Sequence, residues 1–510
     1  MSLIWIVAPM LRMALAPAAP VDARIFQDVA PGEQVSFLVV LKDRADLSKA
    51  AAIADRTERR RFVYETLRAH ADAAQGPLRV RLDRAGVVHR PHFLIDMIEV
   101  VGDAALANEL SRRAEVKTIA ADRPSPLSRA KPPVREIAPR LLITDVIEPN
   151  VAKVRAPDVW NLGFEGQGVV VGVADTGFQW DHPALIGRYR GSAASHDYAW
   201  HDAIHDAAAG NPCGSDSPMP CDDDGHGTGT AGLAVGDAGP GNRIGIAPGA
   251  TLIGCRNMDR GTGTPARYTE CFEWMLAPTN SAGESPRPDL GADVINDSWS
   301  CPPSEGCTDP DVLESVVDNV RAAGIAVVFA AGNEGSELDG VPECFTVDEP
   351  PAIYASVISV GATWIDDAIA SFSSVGPVAL DGSNRLKPDL VAPGVSLRTA
   401  APSNSYAESF TGTSGAAPEV SGAIALLWSA APELLGDVDR TQRALELGAT
   451  PLRLPQPLFC AGYSGATVPN PVFGWGRLDV KAALDRLVDT RTEPALPVGP
   501  PAPRVVPTRP

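Results

Sequence analysis

Five short apolar runs alternate with stretches of helical character through the middle of the chain. The runs are Val169 to Ala174, Thr251 to Cys255, Asp293 to Trp299, Ala326 to Ala331 and Val357 to Ala362. Helices are expected after Gly227 and over Pro265 to Leu276, Asp309 to Ala323 and Ser414 to Trp428. Strands apolar along their whole length are covered on both faces, so this alternation predicts an α/β fold with a doubly wound, mainly parallel sheet. Ligands of such sheets bind beyond the carboxyl ends of the strands. Two polar residues fall there: Asp175, which closes the run before Thr176-Gly177, and Asn333, which follows Ala330-Ala331-Gly332.

The stretch Phe410-Thr411-Gly412-Thr413-Ser414-Gly415-Ala416-Ala417-Pro418 is a turn of small residues that runs into the apolar Val420 to Trp428. Ser414 then sits in the first turn of a helix, where backbone N–H groups lack partners. Capping is the commoner use of a serine there. A rigid, exposed hydroxyl beside a free N–H is also what an acyl-transfer nucleophile needs. His226, within Gly225-His226-Gly227-Thr228-Gly229-Thr230-Ala231-Gly232, can serve as its base. Asp175 can orient that base, and Asn333 can add an amide donor for an oxyanion.

In chain order these motifs are Asp175, His226, Asn333 and Ser414, and they resemble those of the subtilisin-like serine peptidases, or subtilases. The resemblance covers residues 147–487. It implies Ser414 as nucleophile, His226 as general base and acid, Asp175 as orienter and Asn333 in the oxyanion hole. It also implies that the backbone of Ser298-Trp299-Ser300 and of Ala330-Ala331-Gly332 lines a crevice that takes an extended peptide as an added strand. Glu349 falls where the family has the floor of its primary specificity pocket, which would favour Lys or Arg before the cut bond. If Glu349 or Asp348 faces solvent instead, large apolar side chains are preferred. Two positions depart from the family pattern: Gly229 replaces a second histidine and Gly415 replaces a methionine. His182 matches a structural histidine, and Ala184 stands where many members carry a calcium-binding carboxylate. The chemistry needs no cofactor; a structural Ca²⁺ stays open, with no site assigned. Asp222-Asp223-Asp224 reads as a solvated surface run.

The remaining segments suggest how such an enzyme is made. Residues 1–22 are apolar and rich in alanine and proline, which predicts a signal peptide, although Arg12 interrupts the run. Residues 25–123 read as a small α+β unit. Its expected order is a strand at Val35–Leu41, a helix at Asp46–Ala74, a strand at His92–Val101, a helix at Ala104–Arg113 and a strand at Val116–Ala120. It resembles the inhibitory propeptide of subtilases, an open-faced sandwich; the alternative is an accessory domain that is kept. Residues 124–146 form a basic linker with Arg129, Lys131, Arg135 and Arg140, suited to cleavage. The proline-rich residues 488–510 read as a disordered tail.

The net charge of -19 argues against nucleic acid or an anionic membrane as partner. No run after the first segment is long enough to span a membrane. The 8 cysteines form no metal-binding spacing. Cys213 and Cys221 bracket one short loop and Cys301 and Cys307 another, which predicts disulfides and an oxidising compartment. Cys255 is expected to pair with Cys271, and Cys344 with Cys460. The expectation is a secreted or periplasmic monomeric endopeptidase that acts on polypeptides. It is made as a zymogen, held inactive by its own propeptide, and cuts itself between Ala120 and Ile147. Two competing expectations are a binding module that kept the fold without turnover, and a processing enzyme dedicated to one precursor.

Overall fold

The computed structural model describes residues 18–130, 147–302, 307, 313–336, 342–455 and 458–489. Most of the expected signal segment, most of the linker and all but the first two residues of the proline-rich tail lie outside the described residues.

The N-terminal unit runs β1 (Val35–Leu41), α1 (Arg56–Ala85), β2 (His89–His92), β3 (Met97–Gly102), α2 (Ala104–Leu110) and β4 (Val116–Ala121), followed by a short β5 (Ser125–Pro126). The first four strands form an antiparallel sheet in the order β2-β3-β1-β4. Two features differ from the expectation. The strand expected over 92–101 is a hairpin, so the order is β-α-β-β-α-β. The long helix starts at Arg56, where the Asp55 side chain caps Glu58 N at 2.8 Å, and it continues past Pro77 to Ala85. Pro77 is exposed, while Leu78 and Leu82 are buried in the unit's core. That packing outweighs the local cost of a helical proline.

β1 is apolar on both faces for a reason that alternation makes clear. Phe37, Val39 and Leu41 pack with Leu78, Leu82 and Leu110 of the unit's own helices. Leu38 and Val40, on the other face, pack with residues of the larger part of the chain.

That larger part opens with two short helices, α3 (Pro149–Lys153) and α4 (Ala156–Trp160). It continues through β6 (Val170–Asp175), β7 (Trp200–Asp202), α5 (His226–Val235), β8 (Thr251–Arg256), the hairpin β9 (Met258–Asp259) and β10 (Thr262–Gly263), and α6 (Pro265–Leu276). Then come β11 (Val294–Asp297), α7 (Glu314–Ala322), β12 (Ala326–Ala330), β13 (Ile358–Thr363) and β14 (Leu390–Pro393). The antiparallel pair β15 (Leu397–Ala401) and β16 (Ser405–Phe410) precedes α8 (Thr413–Ala430), α9 (Val438–Gly448) and α10 (Val480–Asp489).

Seven strands form the main sheet in the order β14-β13-β12-β11-β6-β8-β7, every neighbouring pair parallel. All five expected strands are in it. The two edge strands, β7 and β14, are only three and four residues long, too short for periodicity to reveal. Val294, Val328 and Val360 pack with Val420, Ile424 and Leu427 of α8. Ile295, Val327 and Phe329 point the other way, to Phe272 of α6 and Val316 and Val320 of α7.

The N-terminal sheet lies over α6 and α7, so Leu38, Val40 and Met97 share a cluster with Phe272 and Val317. Polar contacts fix its position. Glu273 accepts from Leu94 N at 2.9 Å and also from Phe93 N, which is why the chain turns there instead of continuing as a strand. Asn319 Nδ2 donates to Leu94 O at 2.6 Å. The buried Arg60 donates to Asp293 Oδ1 at 2.7 Å. Asp122 accepts from Ala266 N at 2.9 Å, at the start of α6.

Four disulfides form, Cys213–Cys221, Cys255–Cys271, Cys301–Cys307 and Cys344–Cys460, as expected. Among the described residues no helix is long and apolar enough to cross a membrane.

Candidate active site

Asp175 ends β6, His226 opens α5 and Ser414 lies in the first turn of α8, so three separate elements carry these residues; Asp175 and His226 are in direct contact, whereas the Ser414 hydroxyl is engaged by the Ser298 carbonyl. Asp175 is fully buried. Its Oδ1 accepts from Thr176 N at 2.7 Å and lies 2.8 Å from His226 Nδ1; its Oδ2 accepts from Thr230 Oγ1 at 3.2 Å. The close approach needs glycine: a Cβ on Gly227 would collide with Gly177 O. Burial is the largest influence on His226 and opposes its charged form. The charge and hydrogen bond of Asp175 outweigh it, so the imidazole is held above its ordinary value. Ser414 Oγ donates to Ser298 O at 3.3 Å.

Asn333 is held by its oxygen. Thr413 N and Thr413 Oγ1 both donate to Asn333 Oδ1 at 3.0 Å, which turns Nδ2 into the crevice. There Nδ2 donates to Ser128 O at 3.2 Å. Ser128 belongs to a segment of this same chain that crosses the crevice. β5 pairs antiparallel with β10, Ser125 opposite Gly263 and Pro126 opposite Thr262, and Leu127 N donates to Gly261 O at 2.6 Å. Sequence reading had not singled out the Gly261–Gly263 edge. A Gly-Thr-Gly run next to an edge is its only signal.

The expected crevice walls have mixed roles. Ser298 and Trp299 are buried; Ser298 O accepts from Ser414 Oγ, and the Trp299 indole donates to Ala174 O at 3.1 Å. Ala331 uses its amide within the sheet, donating to Val360 O at 3.0 Å. Gly332 turns the chain at a φ of 111° and its carbonyl accepts from Thr413 Oγ1. Ser300 Oγ donates to Glu349, whose side chain is turned inward. Burial is the main cause that pushes the Glu349 carboxyl up to about 7, and the charges of Glu334 and Asp348 add to it. Asp348 is exposed, as the alternative expectation has it, while Glu349 is half-buried; partial burial first and the charge of Glu334 second raise the Asp348 carboxyl. Glu334, which sequence reading overlooked, accepts from Ser128 Oγ at 2.5 Å. Among the described residues none of these three carboxylates meets a Lys or Arg.

Asp222-Asp223-Asp224 is not a solvated run. Asp222 accepts from Gly225 N at 2.8 Å and Thr228 N at 3.0 Å, bracing the loop before His226. The Asp223 side chain is fully buried against Arg256. Asp224 meets Arg129. The run looks solvent-bound only because its partners lie far away in sequence. Asp297, at the end of β11, was also overlooked: burial foremost, and then the charge of Asp175, push its carboxyl well above the usual range.

The two departures have a packing explanation. A Cβ on Gly229 would lie 2.7 Å from the Phe410 ring, and that ring sits 5.5 Å from the His226 ring. A Cβ on Gly415 would lie 2.9 Å from Leu397. His182 is fixed by the backbone, with Ser405 O 2.9 Å from Nε2 and Ala184 N donating to Nδ1 at 3.1 Å, which suits a structural part. Among the described residues no group of three or more His, Cys, Asp or Glu side chains is arranged to hold a metal ion.

The model of the subtilase family matches residues 166–476. The chain is 30% identical to bacillopeptidase F of Bacillus subtilis (strain 168), over 95% of this chain and 34% of that protein. It is 31% identical to the major intracellular serine protease of the same organism, over 54% of this chain and 73% of that one. Subtilisin DY of Bacillus licheniformis is 34% identical over 55% of this chain and 84% of its own length. The chain thus spans about a third of the length of bacillopeptidase F.

Proposed function

The chain belongs to the subtilase family, and from that premise we propose that it is a serine endopeptidase made as a zymogen, which cuts its own Ser128–Arg129 bond and then hydrolyses other polypeptides. One observation carries this reading. The chain's own residues 125–128 lie along the crevice as an added strand and present the Ser128 carbonyl to the Asn333 amide at 3.2 Å.

In the proposed reaction Ser414 Oγ leaves the Ser298 carbonyl, passes its proton to His226 Nε2 and attacks the Ser128 carbonyl carbon. Asn333 Nδ2 and the Ser414 N–H hold the oxyanion. The tetrahedral species collapses as the C–N bond breaks and His226 returns the proton to the Arg129 amine. Water, giving a proton to His226, then attacks the Ser128 carbonyl carbon, and His226 passes that proton to Ser414 Oγ as the ester bond breaks. Asp175 keeps the imidazole tautomer and stabilises the imidazolium. The N-terminal unit acts as the intramolecular inhibitor. Its sheet covers α6 and α7 while its exit segment fills the crevice. Four disulfides and the charge of -19 support a secreted or periplasmic setting.

Toward other substrates the half-buried Glu349, with the charge of Glu334 beside it, favours Lys or Arg before the cut bond, although Asp348 faces solvent. In the self-cut Ser128 takes that place rather than a basic residue. An intramolecular reaction tolerates a poorer side chain because its ends are already together. Terminal sequencing tests the proposal: wild type should yield a new terminus at Arg129, and Ser414→Ala should stay uncut. Identical mature termini in both would exclude self-cleavage.

A further inference from the structure

The segment in the crevice makes contacts that bond cleavage itself does not require, and one of them lies just past the attacked carbonyl. We propose that Asp224 selects a basic side chain on the residue immediately after the cut bond. The proposal rests on the reading that Ser414 attacks Ser128.

The register fixes which residue is involved. Ser125 and Pro126 are paired in the strand, Leu127 N donates to Gly261 O, and the Ser128 carbonyl faces Asn333. Arg129 is therefore the first residue beyond the attacked carbonyl. Its Nη2 donates to both oxygens of Asp224, at 2.7 and 2.6 Å.

Asp224 is placed for this by its neighbours. Asp222 Oδ1 accepts from Asp224 N at 3.1 Å. Asp223 is committed to Arg256 and to Arg260 N. The Cys213–Cys221 disulfide closes the chain just ahead of the run. Two of the three carboxylates are thus built into the protein, and the third is held at the rim of the crevice, two residues before His226. With Arg129 against it the Asp224 side chain is 14% exposed, and a carboxylate held in place loses little freedom when a cation arrives. Among the described residues Arg129 is its one ion-pair partner. Once the bond is cut and the new chain end leaves, that carboxylate is free for the corresponding residue of another substrate.

The Arg129 side chain is 58% exposed, so the pair is screened by water and salt. Pairs of this kind correspond to a preference of about 1.5- to fivefold.

The test uses the matured protein and quenched peptides. All share Ser-Pro-Leu-Ser before the bond and carry Arg, Ala or Glu after it, with the cut position read by mass spectrometry. Ratios of kcat/KM are taken within each protein, so a general loss in a variant cancels. Wild type should prefer Arg to Ala about 1.5- to fivefold, less as salt rises, and disfavour Glu. Asp224→Asn should bring the Arg-to-Ala ratio to about one, and Asp224→Lys should favour Glu over Arg. Equal rates for Arg and Ala in wild type, or a ratio that survives Asp224→Asn, would overturn the proposal while leaving the peptidase reading intact. A preference that moves with Asp224 but acts on the residue at the Leu position would overturn it too. If wild type cuts none of the peptides, the underlying reading fails and the proposal fails with it.

Discussion

Replacing Arg60 with methionine tests what holds the N-terminal unit in place. Arg60 lies on α1 with its side chain 1% exposed, and its guanidinium donates to Asp293 Oδ1 at 2.7 Å and to Gly291 O at 3.2 Å. Asp293 belongs to the other side of the contact, where its Oδ2 also accepts from Val170 N at 2.8 Å. Removing one member of a buried pair usually costs about 3–5 kcal/mol, because the other charge is left without a partner. Here Arg56 also bonds Asp293, from a position 33% exposed, so part of the compensation survives. Methionine fills most of the space, so little cavity is added. A cost of about 2–3 kcal/mol follows, or roughly 30- to 150-fold in the docking equilibrium. Hydrogen exchange on the uncut Ser414→Ala chain reads it as faster exchange of the β1 and β3 amides. In the Arg60→Met background Asp293→Asn should cost less than it does alone. Exchange unchanged by Arg60→Met, or two costs that simply add, would refute the argument that this pair carries the docking.

Further outcomes follow from the titrating groups. Burial first, and then the charge of Glu99, push Asp122 up to about 6, so its ionised form opposes the docked fold. The penalty is absent below the ordinary carboxylate value and complete above about 6. Asp122→Asn should therefore gain stability relative to wild type as pH rises from about 4 to 6, by at most about 3 kcal/mol in thermal melts. A difference independent of pH would contradict this. Glu349 has its carboxyl near 7, so the preference for Arg over Phe before the cut bond should rise as pH passes that value. Glu349→Gln should flatten the profile and lower the ratio about ten- to a hundredfold at alkaline pH. The idea fails if Phe peptides outrun Arg peptides at every pH. Asn333→Ala should lower kcat roughly a hundredfold to a thousandfold with a smaller effect on KM. Equal loss in both would point to substrate positioning instead.

The residues proposed as catalytic stand out in the sequence because each sits in a short local signal. Asp175 ends an apolar run, His226 lies among glycines that allow close packing, and Ser414 opens an apolar helix. Such signals need no knowledge of distant partners. What stayed hidden depends on contacts between residues far apart. The Asp222–Asp224 run reads as solvated until Arg256 and Arg129 are seen beside it. The 92–101 stretch reads as one strand until Glu273 is seen to accept Phe93 N and Leu94 N. The sequence alone starts α1 at Asp46, since charged residues before Asp55 suit a helix as well as a loop; only the Asp55 cap fixes the start at Arg56. The double-sided apolar pattern of β1 has its cause in another part of the chain, the helices α6 and α7.

The central claim is that Ser414 is a nucleophile activated by His226. Labelling the matured protein with a serine-reactive fluorophosphonate, followed by peptide mapping, tests it most directly. One label per molecule on Ser414 is predicted, absent in Ser414→Ala and greatly slowed in His226→Ala. Folded, matured protein that takes no label, or takes it on another serine while Ser414→Ala still cuts peptides, would contradict the account.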